Sequence, residues 1–432
     1  MMRGMRSPSR LSRALADARP GVFSAFCIVA AFGTYFCMYA FRKPFTAGTF
    51  TGQTLWGIDA KTVLVASQLL GYTLSKFIGI KVVSEMPPAR RAATILGLIA
   101  VAEAALLAFA LAPLKLGFLC LFVNGLPLGM VFGLVLSFLE GRRLTEALTA
   151  GLCASFIVAS GVVQSVGRTL IETYDVAETW MPFLTGLVFA VPLVISVSLL
   201  RHIPPPTPED IAARTVRAPM NRAQRRDFFR RHAPGLVGLL LAYTLLTVMR
   251  TLRADFAVEI WAELGEGGEP AIFAKSETLI MLGVVLVNGA AIRLRDHRVA
   301  FLSTLGLVGG GFALVLVALA GQAQGWLSPF AFMVLSGFGM YVPYVAFHTT
   351  LFERLLAAMR DPANLGFLMY LADSAGYLGV VGVLVGKGQT SGELEFLPLY
   401  KTISLVVAVA SIVITIWLTA HFRRRLPRTS DA

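Results

Sequence analysis

Charge is what this chain has least of. Only 15% of its 432 residues are Asp, Glu, Lys or Arg, and 56% are hydrophobic, whereas soluble domains carry roughly 25% charged residues. An ordinary water-soluble globule is excluded. Cysteine is scarcer still: Cys27, Cys37, Cys120 and Cys153 all lie in apolar stretches of the first half. They form neither a disulfide framework nor a metal-binding spacing and read as small packing residues. The chain has no Walker A loop, no His/Cys/Asp/Glu cluster with metal-ligand spacing and no nucleophile elbow. ATP-driven transport and enzymatic catalysis therefore lack a motif, and neither a metal nor a cofactor is expected. Segments of about ten alternating residues, the mark of a membrane β-barrel, are missing as well.

What the chain has is apolar length. Twelve runs of about twenty residues or more lie between positions 21 and 421, each long enough to span a bilayer as a helix. The expected fold is an all-α polytopic membrane protein with 12 transmembrane helices in two six-helix bundles. Residues 1–20 form an N-terminal tail, 21–200 the first bundle, 201–233 a hydrophilic linker with a short amphipathic helix around 208–230, 234–421 the second bundle, and 422–432 a C-terminal tail. The formal net charge of +13 suggests nucleic acid until its placement is considered. With the N-terminus inside, 27 of the 38 Lys and Arg fall in the tails and inward loops, eight (Lys43, Lys61, Lys115, Arg168, Arg253, Lys275, Lys387 and Lys401) fall in outward connections, and Arg42, Lys76 and Arg250 fall within helices. That asymmetry is the positive-inside rule. It predicts a multi-pass membrane protein with both termini cytoplasmic, a lipid bilayer as partner and no nucleic acid, and the expected location is a bacterial inner membrane. Nothing in the chain calls for more than a monomer.

The halves repeat. Tyr35-x6-Arg42 recurs as Tyr243-x6-Arg250, 208 residues later. Leu126-Pro127-Leu128-Gly129-Met130 is matched by Ser336-Gly337-Phe338-Gly339-Met340 at 210, and Gly71 by Gly283 at 212. Two duplicated bundles place a binding site between them at mid-membrane. Arginine keeps its charge there and must face a cavity or a partner. Two arginines at matching positions therefore point to an anion. Arg42-Lys43-Pro44 also reads as the interfacial end of helix 1. Apolar character resumes at Phe45, however, and little charge appears until Asp59. A single segment over 21–50, bent at Pro44, puts Arg42 inside the membrane. Tyr35, Tyr39 and Arg42 share one helical face, as do Tyr72 and Lys76. Phenols beside fixed cations suit phosphate or carboxylate, which a guanidinium binds bidentately.

A resemblance becomes specific at these residues. Tyr35-Phe36-Cys37-Met38-Tyr39-Ala40-Phe41-Arg42-Lys43 and Gly71-Tyr72-Thr73-Leu74-Ser75-Lys76-Phe77-Ile78-Gly79 resemble helices 1 and 2 of the organophosphate:phosphate antiporter family, a branch of the major facilitator superfamily that includes the bacterial glycerol-3-phosphate transporter. Met249-Arg250 followed by Asp255 is similar to that family's helix 7. His348-x3-Phe352-Glu353-Arg354 and Gly376-Tyr377-Leu378-Gly379 are similar to its helices 10 and 11. The resemblance implies that Arg42 and Arg250 clasp a substrate phosphate, with Tyr35, Tyr39, Tyr72 and Lys76 lining the pocket. The superfamily's aspartate four residues after the helix 2 glycine is replaced here by Val83, with Glu85, Arg90 and Arg91 nearby. A branch handling a different anion fits that departure.

Asp373 and His348, both in apolar runs, are candidates for coupling or counter-ion roles. Glu85, Arg90, Arg91, Glu140, Arg142, Glu353 and Arg354 read as an inside gate or as solvated loop charges. Glu103 reads as an interface or helix-contact group. The expected function is secondary transport of a small organic anion, an organophosphate or phosphate foremost, by exchange or with protons. A proton-coupled carboxylate or zwitterion carrier or exporter, and a transporter-like membrane sensor of a phosphorylated metabolite, are the alternatives.

Overall fold

The computed structural model describes residues 9–426 apart from 141, 143–144, 208, 211–221, 292–293, 295, 360–364 and 389–394. The linker segment expected to be amphipathic falls largely on residues 211–221, outside the described residues. Among the described residues twelve long helices follow one another: α1 Pro20–Tyr39, α2 Ala60–Ser84, α3 Pro88–Leu111, α4 Leu114–Leu139, α5 Thr145–Tyr174 and α6 Met181–Leu200. The second half continues with α7 Arg222–Asp255, α8 Ala271–Ala291, α9 His297–Ala323, α10 Pro329–Met359, α11 Leu365–Gly388 and α12 Phe396–Arg425. Eleven are long and apolar enough to cross a membrane. The other, α2, is 25 residues long and takes an equivalent place in the bundle, but it carries Lys61, Lys76 and Lys81. Twelve helices running alternately bring the described termini, the start of α1 and the end of α12, to one face.

The duplication anticipated from sequence is a packing duplication. In the first half α1 packs on α5 and α6, α2 on α4, and α3 on α4 and α6. In the second α7 packs on α11 and α12, α8 on α10, and α9 on α10 and α12. Each contact recurs shifted by six helices, the arrangement of parallel repeats. Two seams join the halves, α2 against α11 and α5 against α8. They are exchanged by the same six-helix shift.

Helix 1 departs from expectation. Its α-helix ends at Tyr39, well before Pro44. The amides of Arg42 and Lys43 both bond to the Tyr39 carbonyl, and a 3₁₀ turn follows over Pro44–Ala47. The segment then folds inward over the bundle: Phe50 is buried and holds a left-handed φ of 51°. That conformation costs about 1–2 kcal/mol in an ordinary residue. The Glu178 carboxylate offsets it by accepting from the Thr49 and Phe50 amides at 2.7 and 2.9 Å. A small hairpin over Thr54–Leu55 and Ile58–Asp59 turns through Trp56 and Gly57, both at positive φ, and delivers the chain to α2.

Close helix approach depends on missing side chains. A Cβ on Gly71 would lie 2.1 Å from the Phe122 carbonyl oxygen, and one on Gly125 would lie 2.3 Å from that of Gln68. These glycines let α2 and α4 pack backbone to backbone. Gly71→Leu is expected to lower the melting temperature of purified protein markedly, since overpacking costs about 1–3 kcal/mol. The equally apolar Leu74→Ala, at an exposed position of the same helix, should leave it within a few degrees of wild type.

Candidate functional site

The chain just past α1 and the last turns of α7 carry the two arginines to one place. Arg42 is 3% exposed and Arg250 5%, so neither snorkels to an interface. The Arg42 guanidinium carbon lies 3.9 Å from the Tyr72 ring centroid, 5.7 Å from that of Tyr377 and 5.9 Å from that of Tyr39. Arg250 stacks at 4.3 Å on Tyr344. Tyr39 and Tyr377 are within electrostatic reach of both cations, so residues of both halves bind the pair into one cluster. Each ring face offers a buried cation about 0.5–2 kcal/mol. Among the described residues neither guanidinium is paired with a carboxylate, and the buried Nε of each has no hydrogen-bond partner.

Tyr35, expected in the pocket, is buried edge-on against Tyr39, Phe132 and Phe156. Lys76 reaches across the α2–α11 seam to Asp373, Nζ to Oδ2, at 2.8 Å. The other Asp373 oxygen accepts from the Tyr243 hydroxyl, the counterpart of Tyr35. His348 Nδ1 lies 2.9 Å from the Tyr344 carbonyl, which can only accept, so Nδ1 carries the ring proton. Nε2 then faces Tyr243 Oη at 3.4 Å and Asp373 at 3.6 Å. Lys76, Asp373, Tyr243 and His348 thus form one network beside the two arginines. α10 is a π-turn over Phe347–Leu351, which places His348 on the inner face.

On the face opposite the termini, ion pairs close the halves over this cluster. Lys43 pairs with Asp255, and Lys61 with Glu259 at 2.6 Å. Lys61 also donates to the Thr46 carbonyl at 2.8 Å, and Gln164 of α5 donates to the Ala254 carbonyl at 2.7 Å. Lys43 and Lys61, assigned by sequence to outward connections, are therefore buried beneath the infolded 44–50 segment. Arg253, read the same way, is buried against Glu277 at 2.5 Å. For Lys43 and Arg253 the legible signal is position: they stand within three residues of Arg42 and Arg250 in otherwise apolar sequence.

The residues read as an inside gate or as solvated loop charges lie at the helix ends. Glu85 and Arg90 are exposed. Arg91 donates to the Ser137 carbonyl at 2.8 Å within its own half. Arg142 contacts the Pro204 carbonyl and Asp210 of the linker, and Arg354 bonds to His297 at 3.1 Å. Glu140 and Glu353 hold interactions of their own at the helix ends. Glu103 is a helix-contact group, its carboxylate pressed against Gly186 of α6.

Helix order, the six-helix shift and the two seams define a twelve-helix membrane protein of the major facilitator fold. Solved structures agree. The D-xylose-proton symporter superposes with a TM-score of 0.59 at 14% identity, covering 92% of this chain and 97% of its own. The nucleoside transporter NupG gives 0.57 at 15%, covering 92% and 99%. No curated protein matches the sequence. The chain belongs to a family of unknown function, DUF5690, matched over residues 44–425. That match begins just after Arg42.

The closed face gives a direct test. Lys61→Glu sets two carboxylates together and should part the halves, raising maleimide labelling of a cysteine at Gln164 in a background without native cysteines. The exchanged pair Lys61→Glu/Glu259→Lys should return labelling to its starting level. A buried pair broken on one side costs about 3–5 kcal/mol, so the single change should increase labelling many-fold.

Proposed function

We propose that this protein is a secondary transporter that moves a small organic anion by alternating access, with phosphate esters and phosphate as the favoured class. The observation that carries this reading is the convergence of Arg42 and Arg250, buried and without carboxylate partners among the described residues. Charge bookkeeping narrows it. Lys43, Lys61 and Arg253 are each balanced by one carboxylate, and Lys76 by Asp373, which leaves two guanidinium charges uncompensated. A dianion such as a phosphate ester balances them, and its oxygens accept the paired N–H groups that a guanidinium presents in a plane. A neutral sugar or nucleoside, the solutes named for the structural neighbours, leaves both charges buried. The resemblance of helices 1, 2 and 7 to organophosphate:phosphate antiporters supports the same roles for Arg42, Arg250, Lys76, Tyr35, Tyr39 and Tyr72.

In this reading the solute docks between the halves, and the pairs Lys43–Asp255 and Lys61–Glu259 form and break as the bundles rock. The same reading has the protein in a bacterial inner membrane, with both termini cytoplasmic, acting as a monomer. A carboxylate or zwitterion carrier is the second reading, favoured by the Lys76–Asp373 pair, which such a solute replaces with its own two charges. A sensor binds the same solute without moving it, and flux separates the two.

Purified protein should gain melting temperature with rising phosphate ester concentration, because a ligand that binds only the folded state stabilises it. Arg42→Lys and Arg250→Lys should each weaken that binding by about 100-fold, the equivalent of roughly 3 kcal/mol, and stop uptake into proteoliposomes. Their unliganded melting temperatures should stay near that of wild type. Full transport by both variants rules the reading out.

A further inference from the structure

The α2–α11 seam is bolted by Lys76–Asp373, but α5–α8 is not. Where α5 meets α8, Gly161 lets the helices touch: a Cβ there would lie 2.4 Å from the Phe273 carbonyl and 2.7 Å from Glu277 Cγ. Glu277 projects from α8 into this contact with its side chain 9% exposed. Its Oε1 accepts from Arg253 Nη1 at 2.5 Å, while Oε2 has no partner. From α5 it meets only neutral groups. Ser160, whose hydroxyl is also unpartnered, and Gln164 line with it a cavity of about 10 Å³, room for about one water molecule. From α7 it faces Arg253 and Arg250, from α10 Tyr341, and from α12 Tyr400. Asp373 differs: both of its oxygens accept, from Lys76 and from Tyr243.

We propose that Glu277 is a proton-binding site that couples proton movement to anion movement, an inference that rests on the anion reading above. The residue lies six positions into α8, about 9 Å from the helix end at 1.5 Å per residue, on the face opposite the termini. When the halves part there, α5 leaves α8 and Oε2 meets water. Hydronium gives a proton to Oε2, an O–H bond forms, and a water molecule is left behind. Arg253 keeps its own proton and loses its counter-charge. It lies three residues from Arg250, so the site gains one positive charge as the carboxylate is neutralised. Anion and proton then bind with mutual reinforcement, which linkage makes reciprocal. The carboxylate gives the proton back to water once the anion has left on the other side.

The test uses full-length protein in nanodiscs and reads the proton and the anion separately. On lowering the pH without solute, wild type should gain an infrared carbonyl band of a protonated carboxyl group. Glu277→Gln should lack that band, and Glu277→Asp should keep one at shifted pH. Inorganic sulfate, whose charge is fixed over this range, is the anion probe. Its affinity should rise about tenfold from mildly alkaline to mildly acid pH in wild type and in Glu277→Asp. In Glu277→Gln, which mimics the protonated state, it should stay at the acid level throughout. A titrating band or a pH-dependent affinity that persists in Glu277→Gln overturns the proposal. Sulfate binding to neither protein defeats the anion reading instead, and the infrared band alone then decides whether Glu277 takes the proton.

Discussion

A charge taken out of water must be answered by another, and this rule organises the molecule. At an effective dielectric constant of 20, two unit charges 4 Å apart interact by about 4 kcal/mol. An ion left alone at depth pays several kcal/mol in lost solvation. The fold meets the rule pair by pair: Lys43 with Asp255, Lys61 with Glu259 and Lys76 with Asp373 across the halves, Arg253 with Glu277 within one. Two cations are left over. Arg42 and Arg250 rest on aromatic faces instead, which soften the cost without cancelling it. An occupant carrying negative charge is what the remaining imbalance calls for.

The same accounting gives the motion its energy scale. Reversing a two-state equilibrium from 1:99 to 99:1 takes about 5.5 kcal/mol. A single buried pair is of that order, so the two pairs on the face opposite the termini are enough to hold it shut. They are also few enough for a bound dianion to tip the balance. A greasy interface of the same area is far harder to open and shut on demand. Glycines make the seams thin as well: Gly161 brings α5 and α8 together with almost no side chain to disentangle.

The fold was largely legible in the sequence because the bilayer writes helix length directly into hydropathy. All twelve runs correspond to helices, and the 208-residue offset between Arg42 and Arg250 reappears as a six-helix shift in packing. Lys76 was legible too, since no interface lies near it in sequence. What the sequence hid was local reversal. The stretch 40–50 is apolar enough to continue a helix, yet it leaves the helical path after Tyr39 and folds back over the bundle. Lys43, Lys61 and Arg253 then look like loop charges although they are buried. Their partners could not be found either: Lys61 and Glu259 are 198 positions apart, and no periodicity connects them.

Duplication explains the architecture but not the division of labour. Tyr35 and Tyr243 occupy equivalent positions, yet the first packs among aromatic rings and the second donates to Asp373. The seams have diverged in the same way. One carries an ion pair that spans the halves, and the other a carboxylate whose charged neighbours, among the described residues, lie in its own half. An ion pair across a seam resists separation, because parting strands both charges. A carboxylate facing neutral Ser160 and Gln164 loses nothing when α5 withdraws, and it gains access to water. The α5–α8 seam is therefore the softer of the two on electrostatic grounds, and Arg253, the partner of the carboxylate exposed by its opening, stands one helical turn from the arginine that would hold the solute.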